Sequence, residues 1–372
     1  MSDTRQLAIK NLKGSDEEMR VSWMLENMSE NKTFKYLLEK NGKKNKNDLL
    51  KSLQDRYVSY RKQWRGNLQI AIKNQLVGEK FKKSNLIPLC IDIETASVCD
   101  LACPHCYRQF IATPDKIMSK DLAFKIIDQA SKLNVPSMKF NWRGEPLLNP
   151  SLPEIIDYAK KNGVLETIIN TNATKLNVSN SEKIINSGLD LMIYSFDGGS
   201  KKSYEKMRPG RFKKNNFDEI YKNILNFNEL RKKMKSVFPR TKIQMVLTED
   251  TFKEQDKYFS LFKDIVDDVS VKQYTERGGK IKDIDEKYIR AACSNENIEK
   301  TNLNFKIKKI DSNAEIMKDS NGNLFISKGR LPCEQPYQRM LVTYDGRVSM
   351  CCYDWGSMHP VGYVDKLAIE TG

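Results

Sequence analysis

Apolar and polar positions follow two different rhythms along this chain, and the change falls near residue 86. Before it, apolar residues recur at helical intervals over 16–27, 33–40, 48–64 and 67–77, as in Leu49, Leu50, Leu53 and Tyr57. Nothing there alternates with period two. Residues 1–85 are therefore expected to form a helical N-terminal region, with Tyr60 and Trp64 packing onto the downstream part of the chain. From about residue 88, short apolar runs take turns with amphipathic stretches. LCIDIET, SMKFNW, ETIINTN, LMIYSFD, KIQMVL and VSVKQY read as strands. SKDLAFKIIDQASKL, LPEIIDYAKKNG, residues 182–187, FDEIYKNILNFNEL and QDKYFSLFKDIV read as the helices between them. Ser119 is placed to cap the first of these helices, and Leu122, Ile126, Ile127, Ala130 and Leu133 share its apolar face.

Strands separated by helical crossovers imply an α/β fold built on a parallel sheet, here over residues 86–275. After Tyr274 the pattern loosens into a charged connector, 276–312. Residues 313–372 then carry two hairpin signatures, Asn321-Gly322 within AEIMKDSNGNLFIS and Asp345-Gly346 within MLVTYDGRVSM. Such dipeptides supply the positive φ angles of tight hairpin turns, so this segment is expected to be a small, separate β-rich module.

Composition narrows the setting. In 372 residues, 39% apolar content supports a core, and no apolar run approaches the ~18 residues of a membrane span. The start, MSDTRQLAIK, lacks the apolar stretch of a secretory signal, so a cytoplasmic protein without membrane contact is expected. There thiols stay reduced, and clustered cysteines favour metal over disulfides. The net charge of +15 suits either nucleic acid or solvated lysine-rich helix faces. Lysines are scattered, with runs such as KNGKKNKN reading as loop, so nucleic acid is not the expected partner. An anionic substrate is compatible with the charge.

Candidate chemistry gathers where a parallel sheet carries it, in loops after the strands. CDLACPHCY comes after the first strand, RGEP after the second, TNAT after the third, and SFDGG ends the fourth. Cys99, Cys103 and Cys106 lie close enough to face one site, and three thiolates suit iron–sulfur or zinc ligation. A structural zinc needs a fourth ligand. The local candidate is His105, awkwardly placed between Cys103 and Cys106.

This Cys-x3-Cys-x2-Cys loop after a first strand resembles that of the radical S-adenosylmethionine (radical SAM) enzymes, over residues 88–275 and more weakly 313–363. The resemblance implies a partial (β/α)6 TIM-like barrel. It also implies a [4Fe–4S] cluster held by Cys99, Cys103 and Cys106, with one iron left open for SAM. An external flavodoxin- or ferredoxin-like reductant would supply the electron that cleaves SAM to a 5′-deoxyadenosyl radical, which abstracts a substrate hydrogen. RGEP is similar to the family's GGEP segment, placing Gly144 and Glu145 at the SAM amino group, with Arg143 in place of a glycine. Asn172 resembles an element near the nucleoside, and Ser195 one that holds ribose or carboxylate. Arg208 matches a carboxylate-contacting arginine, and His105 stands where an aromatic packs near adenine.

Cys333, Gly346 and Cys351 fall at a spacing similar to the opening of SPASM and twitch extensions, which hold an auxiliary [4Fe–4S] cluster. Cys352 competes with Cys351, and strand alternation would point the two oppositely. No cysteine follows Cys352, so a truncated extension, an unusual ligand such as Cys293, and a module without a cluster all stand as readings. Cys90 is expected within the first strand, packed beneath the sheet.

The expected function is hydrogen abstraction from a small metabolite, such as a sugar or nucleotide-linked sugar. The helical N-terminal region favours this over peptide modification, whose leader-binding module is a winged helix containing strands. A non-enzymatic zinc or nucleic-acid-binding protein is the remote alternative.

Overall fold

The computed structural model describes residues 15–41, 45–76, 78–84, 86–248, 250–274, 316–318, 324–326 and 333–364. Three N-terminal helices of ten residues or more come first: α1 (Ser15–Glu26), α2 (Lys32–Asn41) and α3 (Lys46–Lys73). The last unites two segments expected to be separate, 48–64 and 67–77. Gly66 lowers propensity there by only about 1 kcal/mol. Burial of Leu53, Tyr57, Tyr60, Leu68 and Ala71 along one face keeps α3 continuous.

Each expected strand of the sheet is present. β1 (Cys90–Ile93) is linked by α4 (Lys120–Lys132) to β2 (Ser137–Lys139), and α5 (Leu152–Lys161) leads to β3 (Glu166–Thr171). α6 (Val178–Ser187) precedes β4 (Leu191–Ser195). α7 (Lys201–Met207) and α8 (Phe217–Lys233) precede β5 (Arg240–Leu247), and α9 (Gln255–Phe262) precedes β6 (Asp268–Gln273). β1 to β6 pair in sequence order, all parallel. Ser119 caps α4 as expected, accepting from the Leu122 amide. The sequence pattern missed α7, whose KKSYEKM offers only Tyr204 and Met207 as apolar residues for burial, beside Ser203. A Ser200–Ser203 capping box starts that helix in place of a long apolar stripe.

The C-terminal strands differ from expectation in placement. β7 (Ile316–Lys318) and β8 (Leu324–Ile326) form the first hairpin as a two-stranded sheet. β9 (Arg339–Val342), β10 (Arg347–Ser349) and β11 (Pro360–Tyr363) are not a separate body. β9 lies parallel to β1, so the sheet runs β11-β10-β9-β1-β2-β3-β4-β5-β6. The reason is local. Every residue of β1 is buried, and its outer edge needs a partner for its backbone groups. The Asp345-Gly346 turn joins β9 to β10 as expected, with Gly346 at φ +84°.

The main core lies between the sheet and α4 to α9. A second cluster seals the opposite end of the strands from the candidate loops. Val21, Met24, Met28, Phe34, Leu53 and Tyr57 pack there on Leu89, Leu165 and Phe238, the residues that lead into β1, β3 and β5. Buried polar groups knit this floor. Glu166 accepts from Arg20 (Nε, 3.0 Å), Tyr57 (3.0 Å) and Tyr60 (3.2 Å). Asp190 is held by Asn31 and Lys160, both at 2.7 Å. Tyr60 and Trp64 do pack onto the barrel, with the Arg339 guanidinium over the Trp64 ring. Among the described residues, no helix is long and apolar enough to cross a membrane.

Candidate active site

At the C-terminal ends of the strands lies a cavity of about 420 Å³. Cys99, Cys103, His105 and Cys106 line it from the loop after β1. Gly144, Glu145 and Asn172 line it from the segments after β2 and β3, Ser195 from the end of β4, and Arg208 from the end of α7. Residues up to 109 positions apart in sequence thus meet in one place.

The cysteine loop is tied down on both sides. The Ala102 amide donates to Pro209 O at 2.8 Å, and the Arg211 amide to Asp100 O at 2.8 Å. Asp100 also accepts from Asn172 Nδ2 (2.8 Å) and Thr174 Oγ1 (2.6 Å). The Cys106 amide closes a turn onto Cys103 O at 3.0 Å. Burial pushes the Cys103 thiol up to about 12, with neighbouring Cys106 acting in the same direction against the Arg208 charge. Burial raises Cys99 too, and the nearby Cys103 and Glu145 add to it. Such thiols ionise only against a strong cationic partner, as metal binding provides. Among the described residues, no three His, Cys, Asp or Glu side chains group to hold one metal ion. A cluster differs in that each thiolate binds its own iron. The donor set therefore fits a [4Fe–4S] cluster.

RGEP sits against the strand end that leads into Cys99. A Cβ on Gly144 would stand 2.3 Å from Ala96 O and 2.4 Å from Val98 O, so only glycine allows the approach. The Glu145 amide donates to Val98 O at 2.9 Å. Its buried carboxylate accepts from Leu147 N (3.1 Å), Thr171 Oγ1 (2.7 Å) and Asn172 N (2.7 Å). Burial nonetheless carries this carboxyl up to about 7. A carboxylate offers about four acceptor directions, which leaves one for a further donor.

Arg143, the departure from the family's glycine, lines the cavity with its guanidinium already committed to protein partners. It is clamped by Glu94 at 2.6 and 2.7 Å, and its Nη1 donates to Trp355 O at 3.2 Å. Asn172 holds the cysteine loop through Asp100 and comes within 4.0 Å of Cys99 Sγ. Arg208 is paired with fully buried Asp197 at 2.6 Å, and His105 Nε2 lies 3.3 Å from the same carboxylate. Burial alone would raise Asp197, but the Arg208 charge and the His105 contact hold it well below the usual carboxylate range. The sequence pattern did not mark Asp197 as a partner, although SFDGG contains it. Nor did it mark Lys139, Asn170, Gln244 and Lys272, which line the cavity from β2, β3, β5 and β6. Polar residues alternating with apolar ones in those strands were the available signal.

The remaining cysteines separate. Cys90 is buried in β1 as expected, its thiol pushed up to about 12 by burial. Cys333 is exposed and lines neither the main cavity nor the small one beside it. Cys351 lines only the small one, and Cys352 lines both. β10 ends at Ser349, so strand alternation does not extend to this pair. Cys293 lies outside the described residues.

Comparisons with known proteins bear on this geometry. Residues 93–256 match the family described as the radical SAM superfamily. The chain is 31% identical over 127 residues to a probable GTP 3′,8-cyclase of Methanococcus maripaludis, covering 34% of this chain and 41% of that one. It is 32% identical over 108 residues to a tungsten-containing aldehyde ferredoxin oxidoreductase cofactor-modifying protein of Pyrococcus furiosus, covering 28% and 30%. The chain spans less than half the length of these relatives. In fold it is similar to Streptococcus suis SuiB bound to precursor peptide SuiA, with TM-score 0.57, 16% identity, and 85% and 69% of the two chains covered. It is also similar to anSMEcpe with bound AdoMet, with TM-score 0.51, 19% identity, and 76% and 80% covered.

Proposed function

We propose that this chain, whose residues 93–256 match the radical SAM superfamily, is an enzyme that abstracts hydrogen from a small metabolite, such as a sugar or nucleotide-linked sugar. When bound, a cluster given an electron by a flavodoxin- or ferredoxin-like partner would supply one-electron reductive cleavage of SAM. In this reading Cys99, Cys103 and Cys106 hold the irons. The free direction on Glu145 receives the SAM amino group, and Ser195 and Arg208 meet its ribose and carboxylate. Asp197 keeps Arg208 and His105 oriented.

The observation that carries the reading is the meeting of all three cysteines with Glu145 in one cavity. The family match displaces the non-enzymatic zinc and nucleic-acid alternatives. Peptide modification stands as the second reading, favoured by the fold likeness to peptide-bound SuiB. Against it, the N-terminal helices pack under the strand floor, away from the cavity, where they are poorly placed to present a leader peptide. The test is deuterium transfer. A deuterated sugar substrate is expected to deliver its label into 5′-deoxyadenosine. Transfer from a peptide, with none from sugars, would favour the second reading instead.

A further inference from the structure

The cations that line the cavity are matched unevenly. Arg143 and Arg208 each face a buried carboxylate of their own, Glu94 and Asp197. The wall built by β9, β1 and β2 is arranged differently. There Arg339 and Lys139 stand on either side of one carboxylate, Asp92, and all three residues line the cavity.

Register brings them together. Asp92 lies directly opposite Lys139 in the parallel pair of β1 and β2. Neighbouring strands run only about 4.8 Å apart, and opposite side chains point to one face of the sheet. From β9, Arg339 Nη1 donates to both oxygens of Asp92, at 3.0 and 3.1 Å. Its guanidinium lies 4.9 Å over the Trp64 ring, which fixes its plane. The Cys90 thiol, pushed up by burial and by Asp92, is drawn down by Arg339 and Lys139 alike, so both charges reach one point. Nor is the wall sealed: 27% of the Arg339 side chain is exposed, and Lys139 is half-buried.

Asp92 carries one negative charge against their two, so this wall is positive toward the cavity. A neutral hydroxyl gains little from it. A carboxylate or phosphate gains charge-assisted hydrogen bonds, about twice as strong, from a planar fork and a point charge together. The place suits an anchor. Trp64 belongs to the floor cluster and Arg339 is opposite Cys90, the first residue of β1, whereas the cysteine loop follows the other end of that strand. We infer that the substrate carries an anionic group, a carboxylate or a phosphate, and that Lys139 and Arg339 bind it, with Asp92 positioning Arg339. Anchored there, the rest of the substrate extends toward the cysteine loop. This rests on the cavity's being a radical SAM active site and names the class of substrate it takes.

The test uses cluster-loaded protein with SAM bound, titrated calorimetrically with inorganic phosphate, glucose 6-phosphate, gluconate and neutral glucose. At least one anion is expected to bind saturably and about tenfold more tightly than glucose. The order of glucose 6-phosphate and gluconate tells phosphate from carboxylate. Lys139→Gln should weaken anion binding about tenfold, and Lys139→Arg, which keeps the charge, should restore most of it. Arg339→Gln should weaken it similarly, which guards against one variant failing to fold. Three outcomes would each overturn the inference: no saturable anion binding, glucose binding as tightly as the anions, or both glutamine variants binding anions unchanged. Failure of the wild-type protein to bind SAM would strike the family reading instead.

Discussion

Replacing Cys103 by alanine is expected to give a folded protein that neither retains its iron nor cleaves SAM. Cys103 is the middle cysteine of the loop and its proposed second ligand, buried among Cys106, Arg208 and Asp197. Without its thiolate, one iron of the cluster loses its protein ligand, and the remaining pair cannot hold the set. Cleavage should fall to background, and the visible absorption of the cluster should vanish. Folding should change little, since a Cys→Ala change removes one atom and costs about 1 kcal/mol at a packed site. Cys90→Ala is the matched control. That thiol is as deeply buried, in β1 near the strand floor, and its loss should leave both iron content and cleavage intact. Cleavage retained by Cys103→Ala would contradict the ligand assignment.

The other large effect belongs to the opposite end of the barrel. Glu166→Ala should destabilise the protein by about 3–5 kcal/mol, because it strands the Arg20 guanidinium and two buried tyrosine hydroxyls that the carboxylate now satisfies. Arg20 and two tyrosines converge on Glu166, and Arg61 donates to Tyr60 at 2.8 Å. Burial alone would raise this carboxyl. The Arg20 and Arg61 charges overcome that and hold it below its ordinary value of 4.5. A lowered folded pKa means the contribution is complete above the unfolded value and is lost as pH falls through the folded one. Urea melts should therefore show the wild-type protein losing stability as pH drops below about 4.5, with that part of the acid loss absent in the variant. Equal stability of the two proteins at pH 7 would show the network to be unimportant.

Much of this was legible in the residues. The strand–helix rhythm from LCIDIET to VSVKQY marked each of the six parallel strands, because burial on a sheet leaves a period that survives any tertiary detail. The cysteine loop, RGEP, TNAT and SFDGG were visible as unusual residues at strand ends, and all meet at the cavity. Partners distant in the chain were not legible. Nothing local says that Arg143 will clamp onto Glu94, or that Arg208 will find Asp197. The placement of β9 beside β1 escaped for the same reason: a hairpin signature fixes its own turn and not the edge it joins. Trp355 was silent in the sequence because its place in the cavity lining depends on that placement. Gly66 misled in the other direction, since packing along α3 outweighs a single poor helix former.

The most direct measurement is SAM turnover by the wild-type protein after anaerobic reconstitution with iron and sulfide. Incorporation of a cluster, then release of 5′-deoxyadenosine and methionine when a strong reductant is added, is the expected result. Zinc filling the cysteine site while iron fails to incorporate, with SAM recovered intact, would contradict the assignment of this cavity.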